Sequence, residues 1–295
     1  MTTLLSRPPL RRRARRWTRP IVLTVVAALV LMPFIWMISL AFTPEGQTVA
    51  GANLIPENPT LENFSVAFQA ANLGRAFLNS TFVTVITVAT NCVVPVIAGY
   101  AFAHLPFRGS KVLFYVLIST AAIPVSVTLV PLFLMAKNFP LAGGNDILGN
   151  GGSGLLDTVG GLLLPYLVGT LNIFLSRQYF AGMNRDFAEA ARIDGASELR
   201  IFTRVYLPMA RPLIALVAVF SFTGAWDDFL WPLVVSTSEN STTVQLAITT
   251  FASTGNVKYG ALMAATIIVS LPVLLVFLFN QRSFISGLSD GGVKG

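Results

Sequence analysis

Two clusters of side chains in this 295-residue chain have the types and spacing for chemistry. The first is Glu189-Ala190-Ala191-Arg192-Ile193-Asp194-Gly195-Ala196, a charged island between long apolar runs that closes with Leu207-Pro208 and Pro212. A bare connector needs neither this length nor this charge, so a compact helix-Gly-helix here implies that something docks on it. The second is Asp227-Asp228, inside an apolar run and flanked by Trp226 and Trp231. A carboxylate in a membrane-crossing run costs about 2.5–3.5 kcal/mol, so it usually faces a cavity or a partner. Gly224 and Pro232 bracket the pair and permit an interrupted helix. Two readings stand for it: a polar path near the membrane surface, or a helix end with interfacial tryptophans. Asn91, Ser126, Thr128, Tyr166, Asn172 and Trp226 are further candidates to line such a path. Aromatic rings and polar groups suit a path for a polar solute, although small polar residues also join helices to each other.

Enzymatic constellations are missing from the sequence. The lone cysteine, Cys92, reads as a small buried apolar residue, and the lone histidine, His104, as an interfacial one. One residue of each type gives no disulfide framework and no Cys/His metal cluster. No nucleophile–base pair stands out. The glycine-dense stretch 143–152 lacks the Gly-Lys-Ser/Thr ending of a phosphate-binding loop. No catalytic residue and no metal ligand is therefore assigned.

The elements that must carry these clusters are membrane helices. Hydrophobic residues make up 54% of the chain, charged residues only 11%, and the mean hydropathy is +0.70. A soluble domain carries about 25% charged residues. Six windows reach the roughly 20 apolar residues of a span. They are Ile21–Phe42, Ser80–His104, Val112–Met135, Val159–Phe180, Leu213–Ser236 and Gly260–Asn280. The expected fold is all-α and polytopic, with six transmembrane helices and a helix-turn-helix loop at 181–211. The net charge of +7 does not point to nucleic acid, because seven arginines lie in the first 19 residues, directly before an apolar run. With the N-terminus inside, 17 of the 20 Lys and Arg residues fall in the cytoplasm and three, Arg75, Lys137 and Lys258, fall outside. Both termini are thus predicted to be cytoplasmic. The first run is too long for a cleaved signal peptide and no A-x-A site follows it.

Within 181–211, Gly195 suits the positive φ that ends one helix, and Glu198–Tyr206 resumes helical spacing. Leu199, Phe202 and Tyr206 are expected on one side, with Pro208 and Pro212 stopping the helix. A helix pair lying on lipid headgroups is the alternative to docking. The particular residues decide between them. Glu189, Ala190, Ala191 and Gly195, with Asp194-Gly195-Ala196 and then Leu207-Pro208, resemble the coupling loop of ABC-transporter permease subunits. Pro59-Thr60-Leu61-Glu62-Asn63-Phe64 and Trp226 through Leu233 resemble further stretches of the carbohydrate permeases, as does the tail Val293-Lys294-Gly295. Asp227 departs from that pattern, which has Asn there.

This resemblance to the sugar ABC-importer permeases, of the maltose type with six spans, carries implications. Residues 1–20 would be a cytoplasmic basic arm and 21–295 the permease domain. The chain would be a non-catalytic subunit that alternates between inward- and outward-open states. Its partners would be a second homologous permease, a dimer of ABC ATPase subunits that binds ATP and Mg, an extracytoplasmic solute-binding protein, and a sugar. Glu189 would face a basic residue of the ATPase, and the small Ala190, Ala191 and Gly195 would allow close approach. Val293, Lys294 and Gly295 would reach between the ATPase subunits. Asp227 and Asp228 would lie near the outer end of the path or against the binding protein. The competing reading is a proton-coupled carrier that uses Asp227 or Asp228.

Overall fold

The computed structural model describes residues 10–47, 54–70, 72–105, 107–252 and 257–292, with side chains from 19 to 281. The regular structure of these residues is helical. The chain divides into two compact units, residues 1–69 with 251–268 and residues 70–250 with 269–295.

In the first unit, α1 (Leu10–Ala41) leaves its most apolar window unburied by the rest of the chain. The end of this helix leaves carbonyls without helical partners, and α2 (Glu62–Ala70) supplies one donor for them. The buried Asn63 amide donates to Ala41 O at 2.9 Å and to Thr43 O at 2.7 Å. The Thr60 amide donates to Phe42 O, and the Phe42 and Phe64 rings meet at 5.2 Å. The stretch Pro59–Phe64 therefore clamps the end of the first helix. In the same unit, the Glu45 carboxylate accepts from the backbone amides of Tyr259, Gly260 and Ala261, where it opposes the positive end of the last helix.

The second unit is built on α3 (Leu73–His104). The chain continues through α4 (Ser110–Ala121), α5 (Val125–Lys137), α6 (Val159–Leu163) and α7 (Thr170–Ala181). It then forms α8 (Asp186–Ile193), α9 (Glu198–Ile201), a π-helical turn (Phe202–Tyr206) and α10 (Leu207–Met209). After these come α11 (Arg211–Trp226), α12 (Leu230–Val235), α13 (Val244–Thr249) and α14 (Tyr259–Gly292), of which residues from 269 onward belong to this unit. Helices α3 and α7 approach so closely that a Cβ on Gly99 would lie 2.3 Å from that of Ser176. Only glycine admits that approach. One buried cluster joins Val96 and Tyr100 of α3 to Phe180, Ile201, Phe202, Tyr206, Leu213 and Val217. Another gathers Val83, Ala136, Leu162, Trp231 and Val235, where the Trp231 indole donates to Gly161 O at 3.0 Å.

Among the described residues, three helices are long and apolar enough to cross a membrane: Arg19–Ala41, Leu73–His104 and Tyr259–Gln281. Counting each of two bent pairs as one span raises the number to five. The predicted windows 112–135, 159–180 and 213–236 each contain a break. Between α4 and α5 the direction turns by 101°, just before Pro124. Proline disfavours helical backbone in the residue before it, so the bend falls there. Pro165 and Gly169 lie between α6 and α7, and Asp227-Asp228 between α11 and α12. Hydropathy reads how apolar a window is, not whether its axis is continuous.

Candidate functional site

The loop 181–211 is a compact block. Helix α8 ends in a Schellman closure: the Ala196 amide donates to Ala191 O at 2.9 Å and the Gly195 amide to Arg192 O at 3.0 Å. Gly195 takes φ +76°, and a Cβ there would meet nothing within 4 Å, so the space before it is open. Arg192 Nε donates to Glu198 Oε1 at 2.7 Å and staples α8 to α9 across the turn. The hydrogen bond from Arg192 holds the Glu198 carboxyl below its usual range. Beneath the staple lie Ala188, Ile201, Phe202 and Tyr206, all buried against Tyr100 and Phe180. The Tyr100 ring sits 4.8 Å from Phe202 and 5.4 Å from Tyr206. The loop thus rests on an aromatic base shared with α3.

Its outward side carries the singled-out residues. Glu189, Ala190, Asp194, Gly195 and Pro208 are exposed, while Ala191, Ala196 and Leu207 are half-buried and pack on the core. The expected stripe differs in one member. Phe202 and Tyr206 are buried with Ile201, whereas Leu199 is 73% exposed. The wider π turn keeps Phe202 and Tyr206 on one side and leaves Leu199 facing out. With Phe187 and Ile193, Leu199 gives the exposed side three large apolar residues. Sequence reasoning missed these, although apolar residues inside a charged island were the available signal. Pro208 and Pro212 occupy first-turn positions of α10 and α11, where proline is tolerated, and the chain turns by 76° at Ala210 between them.

The intramembrane candidates separate. Asn91 of α3 joins several of them. Its amide donates to Tyr166 O at 2.7 Å, and its Oδ1 accepts from Gly169 N at 2.7 Å and from Asn172 Nδ2 at 2.9 Å. Asn172 Nδ2 also reaches Ser221 Oγ at 3.0 Å. The Tyr166 hydroxyl donates to Asp228 Oδ2 at 2.5 Å, and Asp228 Oδ1 accepts the Leu230 amide at the start of α12. Tyr166 and Asp228, in the breaks after α6 and α11, and Asn172 of α7 are therefore members of one network centred on Asn91 of α3. Trp226 stands apart: it is buried between Phe77 and Phe222, and its indole donates to Val269 O at 3.1 Å. Asp227 is exposed and accepts a long bond of 3.4 Å from Gln245. Val293, Lys294 and Gly295 lie outside the described residues. Among the described residues no three His, Cys, Asp or Glu side chains group as metal ligands.

On the other side of the second unit, Asp157 joins two loops. Its Oδ1 accepts from the Thr237 and Ser238 amides at 3.1 and 2.9 Å and from the Ser241 hydroxyl. Burial pushes its carboxyl up, but these bonds outweigh burial and lower it to about 2.

Residues 92–288 match the family described as binding-protein-dependent transport system inner membrane component. The diacetylchitobiose uptake system permease protein NgcG of Streptomyces coelicolor is 32% identical, over 92% of this chain and 86% of its own length. The trehalose transport system permease protein SugB of Mycobacterium tuberculosis is 30% identical, over 96% and 99%. A chain of a solved bacterial ABC transporter involved in the import of the acidic polysaccharide alginate matches with a TM-score of 0.77. That match covers 94% of this chain and 99% of the other at 22% identity, and it bears on the fold alone.

Proposed function

This chain belongs to the binding-protein-dependent transport system inner membrane component family, and from that premise we propose that it forms, with a homologous permease, the membrane path of an ATP-driven importer for a sugar or oligosaccharide. Its relatives are transport-system permeases, non-catalytic subunits whose ATPase is a separate subunit. In our reading the chain crosses the bilayer six times, with α4–α5, α6–α7 and α11–α12 each a broken crossing. Both termini and the loop 181–211 then lie in the cytoplasm, after the basic arm 1–20.

The observation that carries the proposal is the construction of that loop. A face of exposed Glu189, Ala190, Asp194 and Gly195 is mounted on a block braced by the Arg192–Glu198 pair. The block shares a buried aromatic base with α3 and α11. A partner that moves the block moves those helices with it, because packed cores shift as units. An ABC ATPase dimer, which binds ATP and Mg, is the partner in this reading, and an extracytoplasmic solute-binding protein delivers the sugar. The tail Val293–Gly295, outside the described residues, is assigned to the same ATPase by the resemblance alone. The network of Tyr166, Asn172 and Asp228 borders the path, and Asp227 lies at its outer end. Family membership favours this coupling over a proton-driven carrier.

The test reconstitutes the chain with its ATPase, companion permease and binding protein in nanodiscs. Ala190→Trp adds bulk on an exposed helical position and leaves the core untouched. We expect sugar-stimulated ATP turnover to fall by about tenfold or more, since burying a misfit at a packed interface costs about 1–3 kcal/mol, while the variant chain still elutes as a folded species. Unchanged turnover with Ala190→Trp and with Ile193→Asp would remove the loop from the coupling role.

A further inference from the structure

We propose a phosphate-binding site, independent of transport, at the start of α4. A cavity of about 130 Å³ is lined by Phe102, Ser110, Lys111, Phe114, Tyr115 and Arg177. Three elements bring these residues together. The close approach of α3 and α7 at Gly99 and Ser176 places Arg177 next to the end of α3. There its guanidinium lies 4.2 Å over the Phe114 ring. Phe114 in turn is held edge-on to Phe102 at 5.5 Å and stacked on Phe174 at 6.3 Å. The aromatic wall fixes the guanidinium plane and leaves its N–H groups free of carboxylates.

Charge makes the case for an anion. Lys111 and Arg177 face one small cavity, and neither has a carboxylate within ion-pair distance among the described residues. Two like charges in a shared, partly apolar cavity repel, and an anion between them relieves the repulsion. The Ser110 hydroxyl lines the same cavity. A guanidinium, an ammonium and a hydroxyl form a donor set for a phosphate oxyanion. A sugar would leave both charges uncompensated.

The surroundings favour the phosphate of an anionic lipid. Val112, Leu113, Tyr115 and Val116 of α4 are exposed apolar or aromatic side chains beside the cavity. In an inner-membrane protein such a surface faces acyl chains. Basic pockets at the base of membrane helices accept anionic headgroups, and Tyr115 has the amphipathic character of an interfacial residue. Free inorganic phosphate offers the same oxyanion, so the experiment must separate the two.

Full-length protein, stripped of lipid in detergent, is titrated with phosphatidylglycerol, with zwitterionic phosphatidylcholine, and separately with inorganic phosphate. Bound species are counted by native mass spectrometry. Wild type is expected to retain phosphatidylglycerol in preference to phosphatidylcholine. Removing one charge-assisted contact is expected to weaken retention by about tenfold, first in Lys111→Gln, whose side chain is exposed, and further with Arg177→Gln. Lys111→Arg keeps the charge and is expected to restore retention, which separates a lost site from a damaged fold. Retention of inorganic phosphate that depends on Lys111, without lipid preference, would assign the site to the free ion. If neither ligand responds to Lys111→Gln or Arg177→Gln, the site does not exist.

Discussion

Asn91 is the residue on which the intramembrane network turns. Its one amide group serves Tyr166 O, Gly169 N and Asn172 Nδ2, and it is 1% exposed. In a bilayer the average side-chain bond between helices is worth only about 0.6 kcal/mol, so bond count alone predicts little. The larger effect comes from what truncation leaves behind. Asn91→Ala strands a buried amide N–H and a carbonyl at the break between α6 and α7, and each stranded group costs about 1–3 kcal/mol. The expected loss is about 2 kcal/mol or more, read by SDS titration in mixed micelles. Asp227 provides the contrast. Exposed and bound only through a 3.4 Å contact, it should tolerate Asp227→Asn with unchanged stability and with transport within about twofold of wild type. A much larger fall in transport at unchanged stability would mean that transport needs its charge at the outer end of the path. Part of this network was legible in the sequence: Tyr166, Asn172 and the aspartates are polar residues in apolar runs. Its centre, Asn91, stood among the same candidates, but its role as the joint was not legible, because in one dimension a buried Asn that joins helices reads like any other polar residue in a span. The burial of Trp226 was hidden for the same reason, since its neighbour Asp227 is exposed.

At the scale of elements, motif spacing foretold more than hydropathy did. Gly195 was assigned a helix-ending role from its place in the pattern, and the positive φ and Schellman bonds are there. The continuity of the spans was the harder reading, because a proline at position 124 or 165 changes an axis without changing the average hydropathy. The clamp at Asp157 was not legible either, since it joins residues 80 or more positions apart. It makes a pH prediction. The native carboxyl sits at about 2, below the ordinary 3.8. A depressed carboxyl contributes stability that is fully present above its unfolded value and is lost as pH falls through the native one. The tie between 157 and 237–241 should therefore hold at neutral pH and loosen between about pH 4 and pH 2. Pepsin, active in that window, should cut at the apolar residues that flank the polar stretch 237–241, and its rate on the wild type relative to Asp157→Asn should rise as pH falls. Asp157→Asn should nick readily throughout and show little pH dependence. A wild-type cleavage rate that does not vary across the window would mean that the carboxylate is not what ties the loops.

The whole molecule is incomplete by itself, and its exposed surface says where the rest belongs. The most apolar windows of α1, α3 and α14 are buried within the chain to 0%, 39% and 17%. A soluble protein could not leave such helices uncovered. Lipid and a second permease are the covers we propose, and the distribution of Lys and Arg sets which end of each helix is which. That orientation can be measured directly, because the chain has one cysteine, Cys92, half-buried in α3. With Cys92→Ala as background, a cysteine is placed at Ser197 in the loop 181–211 or at Asn150 in the glycine-rich loop, both exposed positions. Intact cells are then treated with a membrane-impermeant maleimide. Asn150→Cys should be labelled from outside, and Ser197→Cys only after the membrane is opened. A single crossing between the two sites, made by α6 and α7 together as one broken span, requires that outcome. Labelling of both sites from outside would mean that the 159–180 segment enters and leaves on one face. The loop 181–211 would then be out of reach of any cytoplasmic ATPase, and coupling would have to be sought elsewhere in the chain.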